Sequence, residues 1–255
     1  IAGLATGLAA GNLAAEEINY NKASLKPIAA LPVMSKPPVI DGVISEGEWN
    51  TLHVSRFVSQ QAGLLQRAPG EFWIGRDDQN LYIAVRSAVH PTAGAVIEHT
   101  EIIPGKDVRD VTFDDSIELW FDNAPEGGAG DFYQIMINPA SVLFDQSYDS
   151  IEKIGRTYWR ADMAQAHQVK DGLWIAEFAI KLDSLNVKDS SKPLGMRVCR
   201  NYKWNWNQSR WGAGVHAFDS RETMPTVKFI DQTPVVNEIG FQDDKGINVA
   251  VELSN

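Results

Sequence analysis

What most limits the fold of this chain is the spacing of its apolar runs. After residue 38, short segments alternate apolar and polar residues and stop at turn signals, in the spacing of sheet-forming chains. FWIGRDDQNLYIAVRSAV (72–89) reads as two strands joined at Asp77-Asp78-Gln79-Asn80. VTFDDSIELWFDN (111–123) reads as a strand, and PEGGAG (125–130) as the glycine loop that follows it. DFYQIMINPASVLFDQSYD (131–149) turns at Asn138-Pro139. YWRADMAQAHQV and LWIAEFAIKL flank Lys170-Asp171-Gly172, a strong hairpin signal, and LGMRVCRNYKWNW (194–206) is a further strand. No long amphipathic helix follows residue 21. The pattern predicts an all-β protein, a β-sandwich of two mainly antiparallel sheets preceded by a short N-terminal helical or extended segment.

In the opening IAGLATGLAAGNLAAEE, Leu4, Leu8 and Ile18 suit one helical face, while Gly3, Gly7 and Gly11 weaken an isolated helix. A signal-peptide remnant, a packed small-residue helix and the tail of an upstream domain all fit it. Residues 22–39 carry Pro27, Pro32, Pro37 and Pro38 and read as an extended linker. The expected division is residues 1–37 as helix and linker, 38–233 as the sandwich, and 234–255 as a hairpin around Asp244-Lys245-Gly246. That hairpin is either an edge of the sandwich or the start of a following domain. A chain of 255 residues can bury roughly 70–75% of its extended surface.

Charge narrows the partners. The net charge of -10 is not offset by any basic block, which speaks against a phosphate-backbone partner. No apolar run is long enough to span a membrane. The single cysteine, Cys199, rules out an internal disulfide and a cysteine-only zinc site, and reads as a small buried hydrophobe. His53, His90, His99, His167 and His216 show no HxH or HxxxH spacing, so no zinc site is expected.

Six segments, in this order, resemble the family 9 carbohydrate-binding modules and the wider DOMON-like sandwiches. They are PPVIDGVISEGEW (37–49), WIGRDDQNLYIAV (73–85), DDSIELWFD (114–122), DFYQIMINPASVLFD (131–145), DGLWIAEFAIKLDSL (171–185) and LGMRVCRNY (194–202). The resemblance implies a glycan as partner and a secreted, periplasmic or cell-surface bacterial setting, often beside a catalytic domain of a polysaccharide-degrading protein. It implies no cofactor beyond calcium, a structural ion in some members.

The residues support a polar site on one sheet face. Alternation in DDSIELWFD sends Ile117, Leu119 and Phe121 to one face and Ser116, Glu118 and Trp120 to the other. In DFYQIMIN, Gln134 shares a face with Phe132 and Met136. With Arg200 on the same surface, the site would hold an acid, an amide and a guanidinium, groups suited to hydroxyls that donate and accept at once. In the stretch NYKWNWNQSRW (201–211), Trp204 and Trp206 would share a face if the segment were a strand. Its polar residues favour a loop at the site rim, so aromatic walls are expected from Trp204 and Trp211, with Phe218. Glu118 stands on the family's site glutamate. The family grips its sugar between two tryptophans, and at those places this chain has Thr112 and Phe113, and His216 and Phe218.

The leading expectation is a non-catalytic glycan-binding module. A structural or protein-interaction sandwich is the first alternative. A glycosidase would need Asp115 or Glu118 paired with Glu177, and a haem-binding relative would draw on Met136 and Met196 with a histidine.

Overall fold

A computed structural model describes residues 27–101, 108–127, 130–149, 155–205, 207–212, 217–231 and 238–239. Within them the strands form two sheets. The first runs β1 (Ile28–Pro32), β14 (Thr226–Ile230), β12 (Leu194–Tyr202), β6 (Ser116–Asp122), β7 (Asp131–Ile137), β8 (Leu143–Asp149) and β9 (Gly155–Arg156). β13 (Asn207–Arg210) pairs with β12 and with β3 (Val58–Ser59). The second runs β10 (Met163–Lys170), β11 (Leu173–Lys181), β5 (Asn80–Ala88), β4 (Gly70–Arg76), β2 (Leu52–Val54) and β15 (Glu238–Ile239). All ladders are antiparallel except β1 with β14 and β15 with β2. The expected all-β sandwich is what forms.

Strand alternation builds the core. Ile117, Leu119 and Phe121 of β6 and Tyr133, Ile135 and Ile137 of β7 point into it from the first sheet. Leu81, Ile83 and Val85 of β5 and Trp174, Ala176, Phe178 and Ile180 of β11 meet them from the second. Each of the larger aliphatic and phenylalanine side chains among them contributes roughly 1.5–3 kcal/mol by leaving water, which is why the period of two fixes the register. The hairpin between β10 and β11 turns at Asp171 and Gly172, with φ of 52° and 76°. Both are left-handed, the twist a two-residue hairpin needs.

Three expectations need adjusting. The sandwich begins earlier than residue 38: β1 lies inside the proline-rich stretch, pairs along β14, and buries Leu31 in the core. A proline at its end, Pro32, is tolerated because β1 is an edge strand. The expected strand over 111–123 is a 3-10 turn at Arg109–Phe113 and then β6, starting at Ser116. NYKWNWNQSRW is not one strand either: β12 ends at Tyr202, Lys203–Asn205 make a 3-10 turn, and β13 returns from Asn207. Of the C-terminal segment only Glu238–Ile239 is described, as a parallel strand beside β2; residues 1–26 and the Asp244-Lys245-Gly246 turn lie outside the described residues.

Candidate functional site

The outward side of the first sheet carries a polar row across five strands. Gln146 on β8 stands opposite Gln134 on β7, and Gln134 stands one diagonal step from Glu118 on β6. Glu118 is opposite Cys199 and one diagonal step from Asn201 on β12, which is opposite Gln208 on β13. Side chains on a diagonal of one sheet face are within reach of each other. Here they are hydrogen-bonded in sequence. Gln146 Nε2 donates to Gln134 Oε1 at 2.6 Å, and Gln134 Nε2 donates to Glu118 Oε1 at 2.6 Å. Asn201 Nδ2 donates to Glu118 Oε2 at 3.3 Å, and Gln208 Nε2 donates to Asn201 Oδ1 at 2.9 Å. Trp120, also on this face, donates its indole N–H to Glu118 Oε1 at 2.8 Å.

Glu118 is only 5% exposed. Burial pushes its carboxyl above the usual range; the N–H donors of Gln134, Asn201 and Trp120 pull it back, and the nearby Asp219 adds to the rise. No basic side chain pairs with it among the described residues. The carboxylate is held entirely by neutral N–H groups, a set that can be re-shared with a hydroxyl ligand at little cost.

Apolar clusters flank the row. On one side Trp120, Phe132, Cys199, Phe218 and Met224 pack together; on the other Val111, Met136, Val142 and Phe144 do. The 3-10 turn Arg109–Phe113 brings Val111 down onto the second cluster, and the segment carrying Phe218 and Met224 lies over the first. The row surfaces at the Asn201–Gln208 end. There an open cleft of about 230 Å³ is lined by Phe113, Asn201, Lys203 and Gln208 among others. Phe113 is 52% exposed, an apolar ring in the lining of the cleft beside polar side chains. A second open pocket, of about 200 Å³, lies by Asn123 and Lys188 beyond the far end of β6 and touches none of the row.

The expected site residues divide. Glu118 and Gln134 come together, and Phe218 packs beside them against Trp120. Arg200 does not. It stands opposite Ile117, so alternation turns it into the core, where it donates to Ser87 Oγ at 2.9 Å and Asp115 Oδ1 at 3.2 Å. Its guanidinium lies 5.0 Å from the Trp174 ring and 4.3 Å from that of Tyr202. Trp211 is likewise a core residue, 3% exposed and edge-on to Phe72. Trp204 is exposed at the end of the sandwich, edge-on to His90, outside the cleft. His216 and Trp206 lie outside the described residues.

Sequence reading missed Gln146, Asn201 and Gln208 as members of the row, and did not assign Trp120 to the site. A signal was present: Leu194, Met196 and Val198 alternate along β12 into the core, so Arg200 belongs with them and Asn201 with the opposite face. Glu118 and Glu177 do not meet, because they lie on the outward faces of different sheets. Met136 faces outward and Met196 inward, so the two sulfurs do not share one site. Among the described residues no three His, Cys, Asp or Glu side chains converge as a cation site would require. No helix among them is long and apolar enough to cross a membrane.

With the row and its cleft in view, the likeness to solved structures can be placed. A family 9 carbohydrate-binding module from Caldicellulosiruptor kristjanssonii, solved with glucose, superposes with a TM-score of 0.57 at 14% identity, over 82% of this chain and 99% of that one. The same organism's family 9 module with cellotriose gives 0.54 at 14% identity, over 81% and 95%. A Bacteroides uniformis structure gives 0.60 at 12% identity, over 80% and 99%. The fold is that of the family 9 carbohydrate-binding modules. No family model matches the sequence, and no curated protein does.

Proposed function

We propose that this chain is a non-catalytic carbohydrate-binding module and that its site is the cleft at Phe113 and Gln208, backed by Glu118. The observation that carries the reading is the row Gln146–Gln134–Glu118–Asn201–Gln208, four amides around one buried carboxylate on a single sheet face. A sugar ring presents adjacent hydroxyls, each donor and acceptor. Amides supply both roles and the carboxylate supplies acceptors, so a sugar hydroxyl can replace one N–H donor on Glu118 without leaving a charge unpaired. The exposed Phe113 ring supplies area for the C–H face of the sugar. The glucose and cellotriose found in the two Caldicellulosiruptor modules of the same fold indicate neutral gluco-sugars as the first probes.

Such a module works by mass action. Tethered to a catalytic domain in a secreted or cell-surface protein, it would raise that domain's effective concentration at a glycan and leave bond cleavage unchanged. Calcium, if bound, would serve this reading as a structural ion only. Titration calorimetry with glucose and cellotriose tests the site. The parent is expected to bind, and Glu118→Ala to lose at least tenfold in affinity while keeping its circular dichroism spectrum. Equal binding by both proteins would move the site elsewhere; no binding by the parent to these or other neutral glycans would end the reading.

A further inference from the structure

The segment that carries Phe218, lying over the Trp120 cluster beside the polar row, is held by three arginines, and one of them is placed unusually. Arg197 lies on the outward side of β12, opposite Trp120, and is fully buried. Its guanidinium donates from Nη1 to the carbonyls of Ala217 at 3.0 Å and Phe218 at 2.6 Å, and from Nη2 to Thr223 Oγ1 at 2.9 Å. No carboxylate forms a salt bridge with it among the described residues. Burial pulls its pKa down to about 10, so it stays protonated at neutral pH. Arg210 adds a contact to Ala217 O at 3.4 Å, and Arg221 clamps Asp122 with two bonds of 2.7 and 2.6 Å while lying over the Phe132 ring.

We propose that Arg197 is a positioning residue for sugar recognition: it fixes segment 217–224 as a rigid wall beside Glu118, through main-chain carbonyls rather than through contact with the ligand. The inference rests on the function proposed above. The physical reason is an asymmetry. A surface loop held by neutral bonds can lift at small cost, whereas lifting this one leaves a buried guanidinium without acceptors. The wall is therefore pre-formed, and ligand binding does not have to order it. A planar fork is what reaches two adjacent carbonyls and a hydroxyl together; the ammonium of a lysine cannot span all three.

Arg197→Gln and Arg197→Lys test this, with cellotriose titration and amide hydrogen exchange read in parallel. Ile83→Val, a core change in the second sheet, serves as a destabilised control. The expected result is at least a tenfold loss of affinity in Arg197→Gln, a smaller loss in Arg197→Lys, and faster exchange confined to 217–224. Ile83→Val should bind like the parent. Affinity within twofold of the parent in Arg197→Gln, or unchanged exchange in 217–224, would overturn the proposal. So would exchange that quickens equally across β6 and β7, or failure of both variants to fold, since either makes the arginine a general structural element. Should the parent bind no glycan, the functional reading falls by itself, and the exchange data still decide whether Arg197 holds the wall.

Discussion

Two buried glutamates, one on the outward face of each sheet, receive the same number of N–H bonds from different kinds of donor. Glu177 takes the main-chain N–H groups of Asp41 at 3.0 Å and Gly42 at 2.7 Å, and the Trp49 indole at 3.0 Å. Glu118 takes side-chain donors only, from Trp120, Gln134 and Asn201. Burial raises both carboxyls. The difference lies in what each donor can do next. A main-chain N–H belongs to a chain segment, so Glu177 pins the stretch around residues 41–49 onto the second sheet, sealing Trp49 and Trp73 beneath it. A side-chain amide can swing to a ligand, so Glu118 stays exchangeable. The strap allows little give. Gly42 has φ of +86°, and a Cβ there would come within 3.2 Å of the His167 backbone.

The sharpest way to break this comparison is to remove each carboxylate in turn. Glu177→Ala orphans two buried N–H groups and one part-buried one and is expected to cost about 3–5 kcal/mol in denaturant unfolding, with sugar affinity unchanged in the protein that remains folded. Glu118→Ala should cost only about 1–2 kcal/mol, because its amide donors can turn to each other or to water. Its loss should appear in binding instead. Equal stability losses in the two variants would show that donor type does not separate their roles.

Acid provides a second separation. His167 on β10 packs against the rings of Trp174 and Phe178, and burial lowers its pKa to about 4. Its folded value lies below the unfolded one, near 6.5, so the unfolded chain takes up the proton first. Stability is complete above pH 6.5 and falls as the pH drops toward 4, by up to about 3 kcal/mol for a shift of this size. The two glutamates act in the opposite direction: their raised carboxyls contribute stability below the unfolded value near 4.5 that is lost as the pH rises through the folded value. The parent is therefore compared with His167→Phe across pH 4 to 7, where the difference between them isolates the histidine. A constant difference over that range would show that the ring is already charged or solvated in the fold.

How much of this was legible depended on whether a property is local. The period-two segments and the Asp171-Gly172 turn are local, and they led to the two-sheet, mainly antiparallel sandwich. β1 was hidden because its partner, β14, is almost two hundred residues away, and prolines drew attention to chain stiffness instead of burial. Glu118 and Gln134 were visible as out-facing polar residues in apolar strands. Arg200 was misplaced because its chemistry suited the site while its parity, two residues from Val198, set it in the core. Gln146 and Gln208 join the row only through cross-strand register, which no single segment records.

The smallest expected effect is the most selective. Phe113 lines the cleft and is 52% exposed, whereas Phe218, in the Trp120 cluster on the other flank of the row, is 6% exposed. Truncating an exposed ring removes little folding energy, so Phe113→Ala should leave the unfolding free energy within about 0.5 kcal/mol of the parent. If a sugar lies against that ring, the same change removes its apolar contact area and weakens cellotriose by about 1–2 kcal/mol, roughly five- to thirtyfold. Replacement by Trp, the residue with the larger ring, should keep or improve affinity. Phe218→Ala would lower both quantities, because its ring is part of a packed cluster. A Phe113→Ala protein that melts and binds like the parent would place the sugar away from the cleft and leave the Glu118 row as sheet architecture, no different in kind from the Glu177 strap.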